Sequence, residues 1–429
     1  LHFYQNSQEL DEATWQKIMC SVYEQVQLIY CNFHFAKKFV RNNHVISEAA
    51  ALFIFSVLFP QVKEAAYWQK YALTILEREA QYQIYNDGTY LQYSMNYHRV
   101  IIQVYTWILR IAELNTITIS ESLISKLSAS LKFLMHCTNE KTGKLPNYGA
   151  NDGSLFFPLN DNHYNDFRPQ LQCLANTLGI EYLQDTIFED TQWMQNKPTV
   201  YKSNYAALKG IQAFTDSGYY TFNEEKEFTF ISLNSFKNRP SQADQLHLDI
   251  WYEEINLMKD SGSYRYNTDK SETQYFFGTQ SHNTVMFNHL DQMLKGPRFI
   301  WYFWSKVIHA STTEDNYCYK FNGAIKAFRQ SGKWITHERT VIKIKGKPDW
   351  TIIDVIDNPE KKPIQQIWHP DNKFESNFMI TAIDENGLAI EKQIETGYCS
   401  TSYGIKEKCE QYIFTTNTAK ITTHITTRN

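Results

Sequence analysis

The 429-residue chain is sparing with proline (11) and glycine (16), which excludes a collagen or a Pro/Gly-rich disordered tract. It has seven cysteines, Cys20, Cys31, Cys137, Cys173, Cys318, Cys399 and Cys409, and no C-x-x-C pair among them. That odd, unpatterned set excludes a disulfide framework and a cysteine zinc module, and reads as mostly buried free thiols. No basic excess exists: 42 Lys+Arg face 46 Asp+Glu, for a formal net charge of -4. A nucleic-acid partner, which needs a basic face to neutralise phosphates, is therefore not expected. Long apolar runs are also missing. The longest, Ala49 to Phe59, is broken by Ser56 and is too short to cross a bilayer, so no transmembrane segment is expected. The chain opens on Leu1 with neither Met, a basic stretch nor an apolar signal core; the expectation is that processing or truncation removed the true start.

Aromatic side chains are abundant instead. With 28 Tyr, 27 Phe and 10 Trp they reach 15% of the chain, and their flat faces suit both core filling and stacking on sugar rings. The first half carries a helical period. Ala65, Trp68, Ala72, Ile75 and Leu76 share one face, as do Val100, Ile101, Val104, Trp107, Ile108 and Ile111. Further amphipathic segments span 124–137 and 167–178, punctuated by Asn86-Asp87-Gly88 and Lys144-Leu145-Pro146-Asn147. After Pro198 the period shortens to two, as at Phe228-Thr229-Phe230. Ile342-Lys343-Ile344, Gly346-Lys347-Pro348 and Trp350-Thr351-Ile352 read as a hairpin, and Thr415 to Thr427 is rich in β-branched residues. The chain thus divides into a helical domain, 1–198, and an antiparallel β domain, 199–429, a multidomain α+β organisation.

Four clusters hold polar residues that packing alone does not require. Asn42-Asn43-His44-Val45-Ile46-Ser47-Glu48 precedes an apolar helix and also fits a plain N-cap. Asn86-Asp87-Gly88-Thr89 leads to Tyr93-Ser94-Met95-Asn96-Tyr97-His98-Arg99, which also fits a helix start. Asn147-Tyr148-Gly149-Ala150-Asn151-Asp152-Gly153 is turn-rich enough to be structural. The fourth runs from Arg239-Pro240-Ser241-Gln242 through His247 and Asp249 to Asp260-Ser261-Gly262-Ser263-Tyr264 and Ser281-His282-Asn283-Thr284-Val285. On a strand His247 and Asp249 share a face, which fits a metal site or an ordinary hydrogen-bonded pair equally well.

In this order the motifs N-N-H-x-x-x-E, D-G-T-Y…N-Y-H-R, N-Y-G-A-N-D-G, A-D-x-L-H-x-D-x-W…D-S-G-S-Y and S-H-N-T-V resemble the heparinase II/III superfamily of polysaccharide lyases, across residues 35–300. The resemblance implies an incomplete α/α toroid followed by an antiparallel β-sandwich, with Leu1 falling inside the toroid. It implies β-elimination on a uronic-acid glycan: the C6 carboxylate is neutralised, the C5 proton is abstracted, and the C4 oxygen leaves. Such chemistry needs donors that hold enolate-like charge and a positioned acid and base; a tyrosine serves as base only where its phenolate is stabilised.

By that resemblance Tyr97 is the general acid or base and Asn43 the carboxylate neutraliser, with His44 assisting as neutraliser or base. Glu48, Arg99, Asn151, Asp152 and Arg239 are candidate substrate-binding residues. Gln242, Asp260 and His282 fall at the positions of a structural divalent metal, calcium or zinc. One departure stands out: by the resemblance Pro240 occupies the position of the family's catalytic histidine, which leaves three possibilities, that His247, its tautomer fixed by Asp249, substitutes, that Tyr97 makes both proton transfers, or that the site is altered or lost. The implied partner is an acidic polysaccharide or oligosaccharide, with a periplasmic or secreted location favoured over a cytoplasmic one. A local basic lining is expected from Lys37, Lys38, Arg41, Arg99, Arg168, Arg239 or Arg339. Two alternatives remain at this point. One is a glycoside hydrolase on a toroid, which needs carboxylates roughly 5–9.5 Å apart across a cleft. The other is a glycan-binding or exopolysaccharide-handling protein with an altered site.

Overall fold

The computed structural model describes residues 7, 10–183 and 186–428. Its first layer is helical: α1 (Glu12–Phe35), α2 (Asn43–Leu58), α3 (Ala65–Gln83), α4 (Met95–Leu114), α5 (Glu121–Cys137), α6 (Arg168–Leu178) and the short α7 (Glu189–Met194). Local chemistry sets the starts. The side chains of Asp11, Asn42, Ser94 and Ser120 each accept a backbone N–H from the first turn of α1, α2, α4 and α5. Helix α6 stops at Gly179, which supplies the left-handed φ of 70°. The periodic residues of α3, from Ala65 to Leu76, are all buried. Burying a large apolar side chain of this kind stabilises by about 1.5–3 kcal/mol, which is what holds a helix of modest intrinsic propensity in place. Helix α4 is buried along most of its length, polar residues included, and lies at the centre of the layer.

Helix gives way to sheet between Met194 and Gly210, apart from the small parallel pair β1 (Ile180–Glu181) and β2 (Ser203–Asn204). Strands β3 (Gly210–Phe214), β4 (Tyr219–Asn223), β5 (Glu227–Ser232), β6 (Leu248–Tyr252) and β7 (Ile255–Met258) form an antiparallel meander. This sheet is buried on both sides. Tyr219 packs on Phe133 of α5 at 5.8 Å and Phe230 on Tyr148 at 5.5 Å, facing the helices. Their neighbours Tyr220 and Phe222 turn the other way, onto Phe321 at 4.9 Å and Tyr319 at 5.7 Å. The two-residue period of a strand therefore serves two cores at once.

Beyond β7 come α8 (Lys270–Phe277), β8 (Val285–Phe287) and a hairpin of β9 (Leu294–Lys295) and β10 (Trp301–Tyr302). The outer sheet has the order β11 (Lys306–Glu314), β12 (Cys318–Ala327), β13 (Ile335–Ile344), β14 (Trp350–Ile356), β20 (Lys420–Thr427), β16 (Phe378–Asp384) and β17 (Ala389–Ile390). A four-stranded sheet, β18 (Lys392–Cys399), β19 (Glu407–Thr416), β15 (Ile364–Trp368) and β8, completes the sandwich. The hairpin expected around Gly346 forms between β13 and β14, with Lys343 opposite Trp350. The architecture is an arc of α/α toroid followed by an antiparallel β-sandwich. Among the described residues no helix is long and apolar enough to cross a membrane.

Candidate active site

The start of α4 is strapped to the loop 147–153. Ser94 Oγ donates to the Ala150 carbonyl at 2.5 Å and accepts the Tyr97 N–H at 3.1 Å, while the Met95 N–H donates to the Tyr148 carbonyl at 3.1 Å. Gly149 sits at φ 84°, and a Cβ there would lie 2.1 Å from the Tyr93 carbonyl oxygen; only glycine permits this approach. The strap aims Tyr97 across the helix–sheet boundary. Its phenol lies 2.6 Å from the phenol of Tyr266, which comes from the β domain. Asp152 and Arg239 complete the group: Asp152 raises the pKa of both phenols, and Arg239 feels both as nearby partial charges. The Arg239 guanidinium stands 4.7 Å over the ring of Phe299.

The two phenols differ electrostatically. Burial raises the pKa of both. Beyond that, Tyr266 and Asp152 push Tyr97 further up, whereas the hydrogen bond from Tyr97 and the charge of Arg239 work to lower Tyr266. Burial outweighs these lowering influences, and both phenols stay above the ordinary tyrosine range. The depressed phenol expected at position 97 is not what its surroundings produce, because burial dominates there.

The α2 end is pinned to the same region. Asn43 N–H donates to Gln92 Oε1 at 3.1 Å, Gln83 Nε2 to the Asn42 carbonyl at 3.0 Å, and Tyr90 Oη to Gln92 Oε1 at 2.9 Å. Gln92 lies five residues ahead of Tyr97 on the segment that leads into α4. Asn43 and Glu48 are half-buried, burial raising the Glu48 pKa, and His44 is exposed. Among the described residues no hydrogen bond joins the Asn43, His44 or Glu48 side chains to Tyr97.

Several expectations need correction. Arg99 is fully buried, donating to the Tyr164 carbonyl at 2.5 Å and Asn96 Oδ1 at 2.9 Å between the rings of Tyr164 and Phe167. It braces α4 and does not face a substrate. Asn151 likewise spends its Oδ1 on Tyr164 Oη and the Gly153 N–H, both at 2.8 Å, and shapes its loop from within. His247, just ahead of β6, does lie beside Asp249, but it is covered by Tyr148 of the 147–153 loop. It is fully buried, 6.1 Å ring to ring from Tyr148, and burial drives its pKa down to about 3. It cannot replace the histidine missing at Pro240. Nor does Asp249 fix its tautomer: the Asn283 N–H donates to His247 Nδ1 at 3.1 Å, which leaves the proton on Nε2, 3.7 Å from Asp249. Arg339, once a candidate for the basic lining, is buried against Asp354.

The expected metal residues converge on the Asp260–Gly262 turn. His282 Nδ1 lies 3.0 Å from Asp260 Oδ2, Asp260 Oδ1 accepts the Gly262 N–H at 2.7 Å, and Gln242 Nε2 donates to the Gly262 carbonyl at 3.2 Å. All three side chains are buried, and among the described residues Gln242 Oε1 and His282 Nε2 have no hydrogen-bond partner. His247 Nε2, 3.7 Å from Asp260 Oδ2, also lacks a partner, but the tautomer set by Asn283 makes it a donor. Burial lifts the neighbouring Asp244 and Asp249 to about 7. Two orphaned lone-pair atoms beside a buried carboxylate cluster fit a divalent cation.

Residues 1–154 match the model of the heparinase II/III N-terminus, and residues 206–427 match the heparinase II/III-like C-terminal model. The chain belongs to the heparinase II/III family. It is 26% identical over 262 residues to a heparin-sulfate lyase of Bacteroides stercoris, a match taking in 59% of this chain and 37% of that protein. A heparin-sulfate lyase of Bacteroides thetaiotaomicron is 24% identical over 268 residues, covering 57% and 36%. The matched stretch thus spans little more than a third of these curated relatives. Among solved structures, a heparinase III superposes with a TM-score of 0.75 at 18% identity, over 100% of this chain and 67% of that one. A heparan sulfate lyase of Pedobacter heparinus gives 0.69 at 16%, over 99% and 65%. Tyr266 lies two residues past the D-S-G-S-Y motif in an irregular segment, with Tyr264 at φ 56°, so no strand period marks it in the sequence.

Proposed function

We propose that this chain forms the catalytic cleft of a polysaccharide lyase that eliminates across C4–C5 of a uronate in an acidic glycan. The observation that carries the reading is the 2.6 Å contact of Tyr97 with Tyr266 across the domain boundary, with Arg239 and Asp152 beside it. Two phenols in contact can divide acid and base work between them. Tyr266, once its own proton has passed to solvent and with Arg239 beside the phenolate, takes the C5 proton; Tyr97, held protonated, gives its proton to the C4 oxygen as the C4–O bond breaks and the C4–C5 double bond forms. Asn43 at the start of α2 is the family-implied donor to the uronate carboxylate. Tyr266 thereby fills the role left vacant by Pro240.

Gln242, Asp260 and His282 would hold a structural divalent ion, calcium or zinc, whose contribution is to fix the Asp260–Tyr266 segment rather than to touch substrate. Pro240 also supports a second reading, a glycan-handling protein without turnover. Incubation with alginate, hyaluronan and heparan sulfate separates the two. Elimination creates a conjugated alkene that absorbs in the ultraviolet, hydrolysis yields new reducing ends without it, and a non-catalytic binder gives neither. Absence of alkene on every uronate polymer would overturn the lyase reading.

A further inference from the structure

The segment after β9 breaks the rule that soluble surfaces scatter their large apolar residues. Phe299, Ile300, Tyr302, Phe303 and Trp304 are each between 36% and 48% exposed, and they are nearly consecutive. One member, Trp301, is the anchor. It is 4% exposed, donates from Nε1 to the Ser241 carbonyl at 3.2 Å, and packs with Ala243, Phe276, Phe277 and Met293. The hairpin is therefore ordered by its floor while its aromatic neighbours stay in solvent. Arg298 and Phe303 sit at φ 52° and 55°, a left-handed conformation that bulky side chains adopt only where surrounding structure enforces it.

Position links this surface to the cleft. Phe299 meets the Tyr266 ring edge-on at 5.3 Å, and Tyr266 is the residue bonded to Tyr97. Trp304 meets Phe236 at 6.4 Å, and Phe236 meets Tyr93 at 5.4 Å, four residues from Tyr97. Arg239 lies over the Phe299 ring, placing a cation beside both the aromatic platform and the phenol pair. A recess of about 1400 Å³ continues past Tyr266 and Phe299, with Lys270 and Arg298 on its wall beside Asp269 and Asp291, and with Lys406 paired to Glu272. That exceeds the space a single small ligand fills and matches several sugar units in a row.

We propose that Phe299 and Trp304 form stacking subsites for the pyranose rings flanking the scissile bond, with Arg239 and Arg298 meeting the carboxylates or sulfates of the same chain. This inference rests on the lyase reading of the Tyr97 cleft. Aromatic faces bind the apolar C–H faces of sugars while cations select for acidic ones, so the two together fit a uronate polymer better than a neutral glycan.

The test uses the full chain with Phe299→Ala and Trp304→Ala, and Trp304→Phe as the conservative partner. Both positions are exposed, so melting curves should stay within a few degrees of the parent. On whichever of alginate, hyaluronan or heparan sulfate the parent cleaves, each alanine variant is expected to raise KM at least tenfold (about 1.4 kcal/mol) and by more than it lowers kcat, with Trp304→Phe close to the parent. Unchanged KM in both alanine variants overturns the stacking subsites and leaves the lyase reading intact. If the parent yields no alkene yet binds one polymer, as read by tryptophan fluorescence, and the variants lose that binding tenfold, the subsites stand and the lyase reading falls. A parent that neither binds nor cleaves any of the three overturns both.

Discussion

Tyr97 from the helical arc and Tyr266 from the sandwich meet oxygen to oxygen at 2.6 Å, so the cleft chemistry exists only when both domains are docked. If they divide acid and base work, Tyr97→Phe and Tyr266→Phe should each cut kcat by about 10²–10⁴-fold, and the double variant should lose little more than either alone. Binding of substrate should persist in both. The pH profile distinguishes the partners: with Tyr266 as base, kcat/KM rises with pH through the alkaline range, and Arg239→Ala should move that limb to higher pH by removing the cation that favours the phenolate. A Tyr266→Phe variant with near-parent turnover would return both proton transfers to Tyr97.

The orphaned Gln242 Oε1 and His282 Nε2 make a second, independent prediction. Elemental analysis of the purified chain should find close to one calcium or zinc, and a chelator should lower the melting temperature, since ligand bound only by the native state stabilises it. Gln242→Ala and His282→Ala should each abolish that chelator effect while lowering the starting melting temperature. No ion, together with a melting curve indifferent to chelator, would remove the metal.

Most of the architecture was legible because it depends on period alone. The face of α3 from Ala65 to Leu76 and the hairpin at Gly346 are written as repeats of 3.6 and 2, and the residues so marked are the ones buried. The site was legible only in part. A motif names which residues sit near one another in sequence, yet it does not say which face of a strand a neighbouring layer will cover. His247 failed for that reason: its spacing to Asp249 is right for a site, but Tyr148 of the 147–153 loop covers it. Arg99 failed similarly, since α4 is buried all round instead of on one stripe. Tyr266 was illegible because its importance comes from a partner 169 residues away.

His98 allows a test of the helical core by pH. It is stacked between Tyr90 and Phe133, and burial lowers its pKa from an ordinary 6.5 to about 3. A depressed histidine contributes stability that is complete above pH 6.5 and is lost as pH falls toward 3, at about 1.4 kcal/mol per pH unit. Asp244 and Asp249, lifted to about 7, act in the opposite sense: the chain regains stability as they protonate below that value. The net slope of the parent therefore mixes signs. The difference between the parent and His98→Gln isolates the histidine, and urea unfolding between pH 6.5 and 4.5 should show the parent losing roughly one proton's worth of stability more than the variant. Parallel pH profiles would mean that His98 is not buried in its neutral form.

The deepest ion pair in the sandwich makes the last prediction. Arg339 on β13 lies opposite Asp354 on β14 and grips it with two bonds of 2.8 Å, while His337 and Gln366 each reach the same carboxylate at 2.7 Å. Burial works to raise the Asp354 pKa, but Arg339 and His337 outweigh it and hold the carboxyl below its usual range. The second arm of Arg339 donates to the carbonyls of Leu246 and Asn283, each at 2.7 Å, the residues next to His247 and His282. The outer sheet is thereby tied to the loops that carry His247 and the candidate metal residue His282. Asp354→Asn leaves an uncompensated buried guanidinium and should cost about 3–5 kcal/mol in urea unfolding. Replacing both partners, as Arg339→Met with Asp354→Leu, should recover much of that loss because no buried charge is stranded. Yet the double variant still lacks the bonds to Leu246 and Asn283. Its stability should return further than its metal retention under chelator, a split that a purely local role for the ion pair would not produce.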